Sequence, residues 1–371
     1  MKTPEWQEDA KYNPFNSWKA LVHADHFEAI LKRENILPPI VLNFDLTNKC
    51  NYNCRFCMFG ARKRTDPSMQ GYRFNKAELP EGFVLQLPKL WHDWGVKSAC
   101  LSGGGEPTLH PDCIKVIPLM KKNDIQLGFV TNGFLVNNDK WWKTINESCR
   151  FIGVSMDAGN ENDYHVTKGV PKEWFHVVIN NLKNIAATKE NLKTNLQIGY
   201  KYVIEDTNYK SIYDAIRIAS EIGVTDFHLR PSIYPNPEFF SDKLDMIWEQ
   251  VEKGRDDFER EDFRVYAVQH KFHKDLSKRH NFKKCRATML TTTWAADGWL
   301  YLDTDTRGAE WAKLVKYYPD PQKAIAFWGS KKHWKIVDAI DHSKCDRCTL
   351  AAYNEFFEKV FIEDRMDRFL I

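Results

Sequence analysis

The sequence predicts an α/β fold built on a parallel sheet, and three observations carry that prediction. Short β-branched or apolar runs bounded by turn residues occur six times, at 41–46, 97–102, 125–131, 150–156, 196–204 and 225–230, and such runs read as strands. Stretches with apolar residues three and four apart lie between them, among them EGFVLQLPKLWHDW, PDCIKVIPLMKKN, WFHVVINNLKNIAAT and YKSIYDAIRIASEIG. Strand and helix alternate in series, which buries a parallel sheet under helices, either doubly wound or rolled into a barrel. In both arrangements the ligand sits beyond the carboxyl ends of the strands, so chemistry is expected in the loops that follow them.

Taken in order, residues 1–40 form an N-terminal extension whose one amphipathic stretch, SWKALVHADHFEAILKREN, reads as a helix packed on the sheet. Residues 41–236 hold the six βα units. The two prolines of PSIYPNPEFF then break the pattern, and a charged helix, DKLDMIWEQVEKGRDDFERED, leads into irregular Trp- and Thr-rich sequence. A domain boundary is placed near residue 236, with 237–371 as a second, α+β domain. There is no internal repeat and no low-complexity segment.

Composition narrows the function. With 53 Lys plus Arg against 50 Asp plus Glu the net charge of the 371 residues is +3, which predicts no nucleic acid or other polyanion as partner. Hydrophobic residues at 43% and charged residues at 28% exclude collagen-like and disordered classes. No apolar run approaches the roughly 20 residues of a membrane helix, and the opening MKTPEWQEDAKYNPF is too polar for a secretory signal. A cytoplasmic address is expected. Five of the nine cysteines cluster at Cys50, Cys54, Cys57 and at Cys345, Cys348 instead of spreading as a disulfide framework would, which suggests metal.

In NFDLTNKCNYNCRFCMFG, Cys50, Cys54 and Cys57 follow the first strand with Phe56 before the last of them. A structural zinc site wants four ligands, and a redox pair of Cys54 and Cys57 leaves Cys50 unexplained. The second strand is followed by LSGGGEPTLHPD, in which Gly104 and Gly105 allow backbone to approach a ligand and Glu106 supplies an acceptor. Thr131, Asn132 and Gly133 end the third strand, a position equally suited to a plain turn. The fourth runs into GVSMDAGNENDYHVTKGVP, where Ser155 and Asp157 can bind a ligand or Asp157 can cap the next turn. Arg230 in HLRP has a fork suited to a carboxylate or to a rim salt bridge. Lys201, between Tyr200 and Tyr202, points either inward as a substrate contact or, by preference, outward into solvent. Cys100, Cys113 and Cys149 read as buried core thiols.

Near the C-terminus, Cys285 opens CRATMLTTTWAADGWLYLD, a hairpin with its turn at Asp297-Gly298 and its end at Asp303. CDRCTLAAYN follows with Cys345 and Cys348. Zinc is one occupant these groups could take, with His342 or Asp303 completing a tetrahedron.

The spacing of Cys50, Cys54 and Cys57 with Phe56 resembles the signature of the radical S-adenosylmethionine (SAM) superfamily. That resemblance implies an incomplete (β/α)6 TIM-like barrel and a [4Fe–4S] cluster whose fourth iron is open to the amino and carboxylate groups of SAM. An electron from the cluster would release a 5′-deoxyadenosyl radical. It further implies that Gly104, Gly105 and Glu106 are the GGE motif, with the Glu or the adjoining backbone on the amino group of SAM. Ser155 would face its carboxylate or ribose, and Asn132, Asp157 and Arg230 would be further cofactor contacts. The C-terminal region resembles the twitch or SPASM extension, with Cys285, Gly298, Trp328, Cys345 and Cys348 in place. Asp303 stands where that pattern has its second cysteine and Asn354 where it has a later one, which leaves ligands for one auxiliary [4Fe–4S] cluster, Asp303 among them. The implied activity is hydrogen abstraction from a carbohydrate-like or other small substrate. Net dehydrogenation would be aided by the second cluster, with a flavodoxin- or ferredoxin-type reductant. Two alternatives stand beside it. One is peptide modification, for which the first forty residues fall short of a leader-binding domain of about eighty. The other is a non-catalytic iron–sulfur or zinc scaffold, which would have no need of Glu106 and Ser155.

Overall fold

Six parallel strands stand where the apolar runs place them: β1 (Val41–Asp45), β2 (Ser98–Ser102), β3 (Gln126–Thr131), β4 (Cys149–Ser155), β5 (Gln197–Ile204) and β6 (Asp226–Pro231). The computed structural model describes residues 22–60, 67, 71–232, 237–267, 282–345 and 348–363. The boundary expected near residue 236 lies outside the described residues. Helix α1 (Ala24–Lys32) precedes the sheet, and α2 (Leu87–Trp94), α3 (Cys113–Lys122), α4 (Asp139–Ser148), α5 (Glu161–Lys168), α6 (Trp174–Leu192) and α7 (Ile212–Glu221) cross between strands. After α8 (Pro237–Phe258) a further strand, β7 (Arg264–Ala267), pairs parallel to β6. Its four residues are too few to carry a readable period, so the sheet gains a strand beyond the six expected.

The C-terminal hairpin extends the same sheet. Strand β8 (Thr291–Trp294) runs parallel to β1, and β9 (Trp299–Tyr301) and β10 (Lys313–Lys316) continue antiparallel, giving the order β10-β9-β8-β1-β2-β3-β4-β5-β6-β7. Gly298 makes the expected turn at φ +81°, where a Cβ would stand 2.8 Å from the Cβ of Tyr318. Helices α9 (Gln322–Phe327), α10 (Lys331–Asp338) and α11 (Ala351–Phe356) follow. The fold is therefore α/β, a parallel partial barrel with an α+β C-terminal portion.

Helix α1 packs differently from expectation. Residues 17–21 of its amphipathic stretch lie outside the described residues, and its buried Phe27 and Ile30 meet Met289, Trp334 and Phe357 of the C-terminal portion, not the barrel helices. The reason is aromatic complementarity: the Phe27 ring lies 4.5 Å from that of Phe357 and 5.2 Å from that of Phe356.

The two faces of the sheet differ in chemistry. On the helix side, Phe44 meets Trp91 edge-on and Phe129 stacks on Trp141, while Tyr200, Tyr202 and Phe227 are wholly buried. Register places Ser155, Lys201 and His228 side by side on the opposite, inner face. Closed barrels fill that space with branched apolar side chains; here Gly128, Gly153 and Gly199 alternate with polar groups. Lys201 thus points inward, contrary to the preferred expectation. Its Nζ donates to Asp226 Oδ1 at 3.0 Å and lies 3.4 Å from His228 Nδ1, across bare backbone where a Cβ on Gly199 would come within 2.6 Å of it. Cys113 and Cys149 are buried as expected, but Cys100 is only half-buried because it too faces inward. Among the described residues no helix is long and apolar enough to cross a membrane.

Candidate active site

The loop after β1 carries Cys50, Cys54 and Cys57, all with free thiols and all half-buried. Its shape is set from outside. Arg73 donates Nη1 to the Tyr52 carbonyl at 2.8 Å and Nη2 to Asn53 Oδ1 at 2.6 Å, while Asn53 N and Arg55 N donate to the carbonyls of Lys168 and Thr167. Burial pushes the Cys54 thiol up to about 12 and raises that of Cys50, with the neighbouring thiols adding to both. Among the described residues no three His, Cys, Asp or Glu side chains converge closely enough to hold a single metal ion.

The glycine turn after β2 lies directly against this loop. Glu106 N donates to the Lys49 carbonyl at 2.8 Å and Gly105 N to that of Thr47 at 3.1 Å. A Cβ on Gly105 would stand 2.1 Å from Lys49 O, and one on Gly104 2.3 Å from Asn48 Oδ1. The close approach these glycines permit is thus to the chain leading into Cys50. Glu106 is 3% exposed. Its Oε1 accepts from Thr108 N at 3.1 Å, Thr108 Oγ1 at 2.7 Å and Thr131 Oγ1 at 2.6 Å, and its Oε2 from Asn132 N at 2.7 Å. Burial raises its carboxyl pKa and these bonds oppose the rise. Asn132 reaches back with Nδ2 to Asn51 Oδ1 at 2.8 Å, so the ends of β2 and β3 grip the cysteine loop together.

At the end of β4, Ser155 Oγ donates to Asp157 Oδ2 at 2.5 Å. Asp157 is wholly buried with φ +56°, a left-handed conformation that Asp tolerates better than most residues; its Oδ1 accepts from Val203 N at 2.7 Å. Lys168, at the C-terminus of α5, completes the group with bonds to Asp157 Oδ2 at 2.6 Å, the Ser155 carbonyl at 2.7 Å and Ser155 Oγ at 3.0 Å. Burial works against its ammonium, yet the charges of Asp157 and Cys54 outweigh it and the pKa rises. Sequence reasoning passed over Lys168 because a lone lysine before a glycine looks like a solvated helix end. Arg230 stands exposed near the end of β6 on the inner face.

Cys285, Asp303, Cys345 and Cys348 all lie in the C-terminal portion, and the first three stand near enough to Cys348 to act on its thiol. Burial pushes the Cys285 thiol up to about 11, with Asp303 adding to it, and it raises Cys348 with contributions from Cys285, Asp303 and Cys345. Asp303 Oδ1 accepts from Asp305 N and Thr306 N, both at 2.9 Å, closing its own turn. Trp328, buried at the start of the segment leading to the last cysteines, donates Nε1 to the Leu37 carbonyl at 2.9 Å. A second residue missed in the sequence, Arg307, binds this portion to the barrel. Its Nε lies 2.8 Å from Asp45 Oδ2, both side chains buried, and its guanidinium sits 5.0 Å from the Phe59 ring. Burial pushes the Asp45 carboxyl up to about 6 against the opposing charge of Arg307. No local pattern joins Asp45 to a residue so distant.

Residues 44–236, just over half of the chain, match the radical SAM superfamily. The chain belongs to that superfamily, whose members use a [4Fe–4S] cluster and SAM. It is 27% identical over 223 residues to a probable GTP 3′,8-cyclase of Sulfurisphaera tokodaii, covering 58% of this chain and 64% of that protein. A probable GTP 3′,8-cyclase of Saccharolobus islandicus is 28% identical over 198 residues, covering 51% and 55%. The match thus spans 55–64% of the length of these relatives. Among solved structures, Streptococcus suis SuiB bound to S-adenosylmethionine aligns with 92% of this chain and 78% of its own at a TM-score of 0.61 and 16% identity. SuiB bound to precursor peptide SuiA aligns with 90% and 75% at 0.60 and 16%. These structures share the fold.

Proposed function

We propose that the chain cleaves SAM reductively at a [4Fe–4S] cluster held by Cys50, Cys54 and Cys57 and abstracts hydrogen from a carbohydrate-like or other small substrate. One arrangement carries the reading: the cysteine loop, the Glu106 carboxylate and the Ser155–Asp157 end of β4 are bonded together at the carboxyl edge of the parallel sheet. The donor set fits the group. Three thiols on one loop leave one iron of four for an exogenous ligand, and thiols on separate irons need not converge on one point as ligands of a single ion must. When bound, the cluster supplies the electron that breaks a carbon–sulfur bond of SAM.

The chain's own residues then bind and orient. Glu106 Oε2 accepts one hydrogen bond and keeps a lone pair for the ammonium of SAM. Ser155 gives its only hydrogen to Asp157 and accepts from Lys168. It can therefore accept from a ribose hydroxyl and has no hydrogen for a carboxylate. Arg230 is the group suited to the carboxylate. Phe56 lines the loop beside Cys57, Asn132 holds it from β3, and Gly104 and Gly105 let it lie close. In this reading 41–236 carries the SAM chemistry, 1–40 is a helical extension, and 237–371 holds a second cluster on Cys285, Asp303, Cys345 and Cys348. The relatives named GTP 3′,8-cyclases support a substrate with a sugar, since GTP contains ribose.

The test is anaerobic reconstitution with iron, sulfide, SAM and dithionite, assayed for 5′-deoxyadenosine with and without GTP. Wild type should form it, and replacing Cys50, Cys54 and Cys57 together with Ala should abolish it; formation by the triple variant would sink the assignment.

A further inference from the structure

Lys168 is the one lysine among the described residues whose side chain is essentially sealed from water, at 1% exposure. It does not merely end a helix. Its backbone carbonyl accepts from Asn53 N at 3.1 Å, inside the Cys50–Cys57 loop. Its ammonium lies 5.3 Å from the ring of Phe56 and 5.6 Å from that of Tyr52. Those rings flank the cysteines in sequence, so a full positive charge is held beside the loop with no water to screen it. All three ammonium hydrogens are engaged, by Ser155 twice and Asp157 once, which fixes its position. Asp157 brings an opposite charge 2.6 Å from the ammonium.

We propose that Lys168 is a positioning residue that sets the reduction potential of the iron–sulfur cluster at Cys50, Cys54 and Cys57, with Asp157 as its counterweight. The proposal rests on the reading that these cysteines hold such a cluster. The physical basis is charge. Reduction adds one electron to the cluster, and a buried cation stabilises the more negative state, because Coulomb energies between buried groups are weakly screened. Lys168 raises the potential and Asp157 lowers it. The pair also couples the potential to the SAM site, since Ser155 is bonded to both.

The experiment is a redox titration of the reconstituted full-length protein, followed by electron paramagnetic resonance. The relevant signal is the one that SAM perturbs and that the Cys50, Cys54, Cys57 triple Ala variant lacks. Lys168→Met should change the reduced-to-oxidised ratio at fixed poise at least tenfold toward oxidised, equivalent to about 59 mV for a one-electron couple. Lys168→Arg, which keeps the charge, should stay near wild type, and Asp157→Asn should move the potential upward. Equal shifts in the Met and Arg variants would reveal an effect of shape and overturn the proposal, as would no shift in the Met variant. Should Lys168→Met fail to take up iron, Asp157→Asn decides: an upward shift supports the proposal and any other result overturns it. A wild type without the SAM-sensitive signal would remove the underlying reading and this proposal with it, whereas that signal with unmoved potentials removes only the proposal.

Discussion

Asn354 donates its side-chain amide to Cys285 Sγ at 3.4 Å while its Oδ1 accepts from Arg286 N at 2.7 Å and Ala287 N at 2.8 Å. The residue that stands in place of a cysteine is thus bonded to one. Buried donors left without partners cost about 1–3 kcal/mol each, so Asn354→Ala should lower stability by about 3 kcal/mol in urea denaturation and, if the proposed second cluster is there, loosen its iron. A denaturation midpoint equal to wild type would show that the two backbone groups find water instead.

Glu106 accepts four hydrogen bonds from its own chain, and a bond to a charged group contributes about 1.5–3 kcal/mol. Glu106→Ala should therefore destabilise the protein by about 3 kcal/mol even without metal and SAM, in addition to weakening SAM binding. Thermal unfolding of the metal-free protein reads this directly. If only SAM affinity changes, the carboxylate serves the cofactor and not the loops.

Asp303→Asn retains an oxygen for Asp305 N and Thr306 N and removes the negative charge beside Cys285 and Cys348. If the remaining carboxylate oxygen is an iron ligand, the variant should lose iron to a chelator faster than wild type with the same overall stability. Identical iron retention would assign Asp303 to its turn alone.

His333 is fully buried between the rings of Phe327 and Trp328 and accepts from Gly329 N at 3.1 Å. Burial lowers its pKa to about 4, against about 6.5 when unfolded. Between these values the unfolded chain binds the extra proton, so stability is full above pH 6.5 and falls as pH drops toward 4, by about 3 kcal/mol at the limit. His333→Gln should flatten that slope in denaturation curves taken at pH 7 and pH 5; an unaltered slope would place the titrating group elsewhere.

Local chemistry determined most of the scaffold. The alternation of apolar runs with amphipathic stretches placed six strands within a residue or two, because a strand buried under helices must be apolar whatever its neighbours are. Asp297-Gly298 placed the hairpin, because few other pairs accept that turn. The spacing of Cys50, Cys54 and Cys57 and the Glu after Gly105 marked the candidate site, since these residues lie on consecutive loops at one edge. Tertiary structure decided what depends on distant partners. That β8 joins β1, that Lys201 turns inward over two glycines, that α1 leans on the C-terminal aromatics and that Arg307 meets Asp45 are all settled by contacts between remote segments, which no window of sequence contains. The sharpest case is Lys168. By composition it is one more solvated lysine, and only the approach of Asp157, Ser155 and the cysteine loop makes it a buried charge, because a lysine can leave water only where a counter-ion and acceptors are waiting for it.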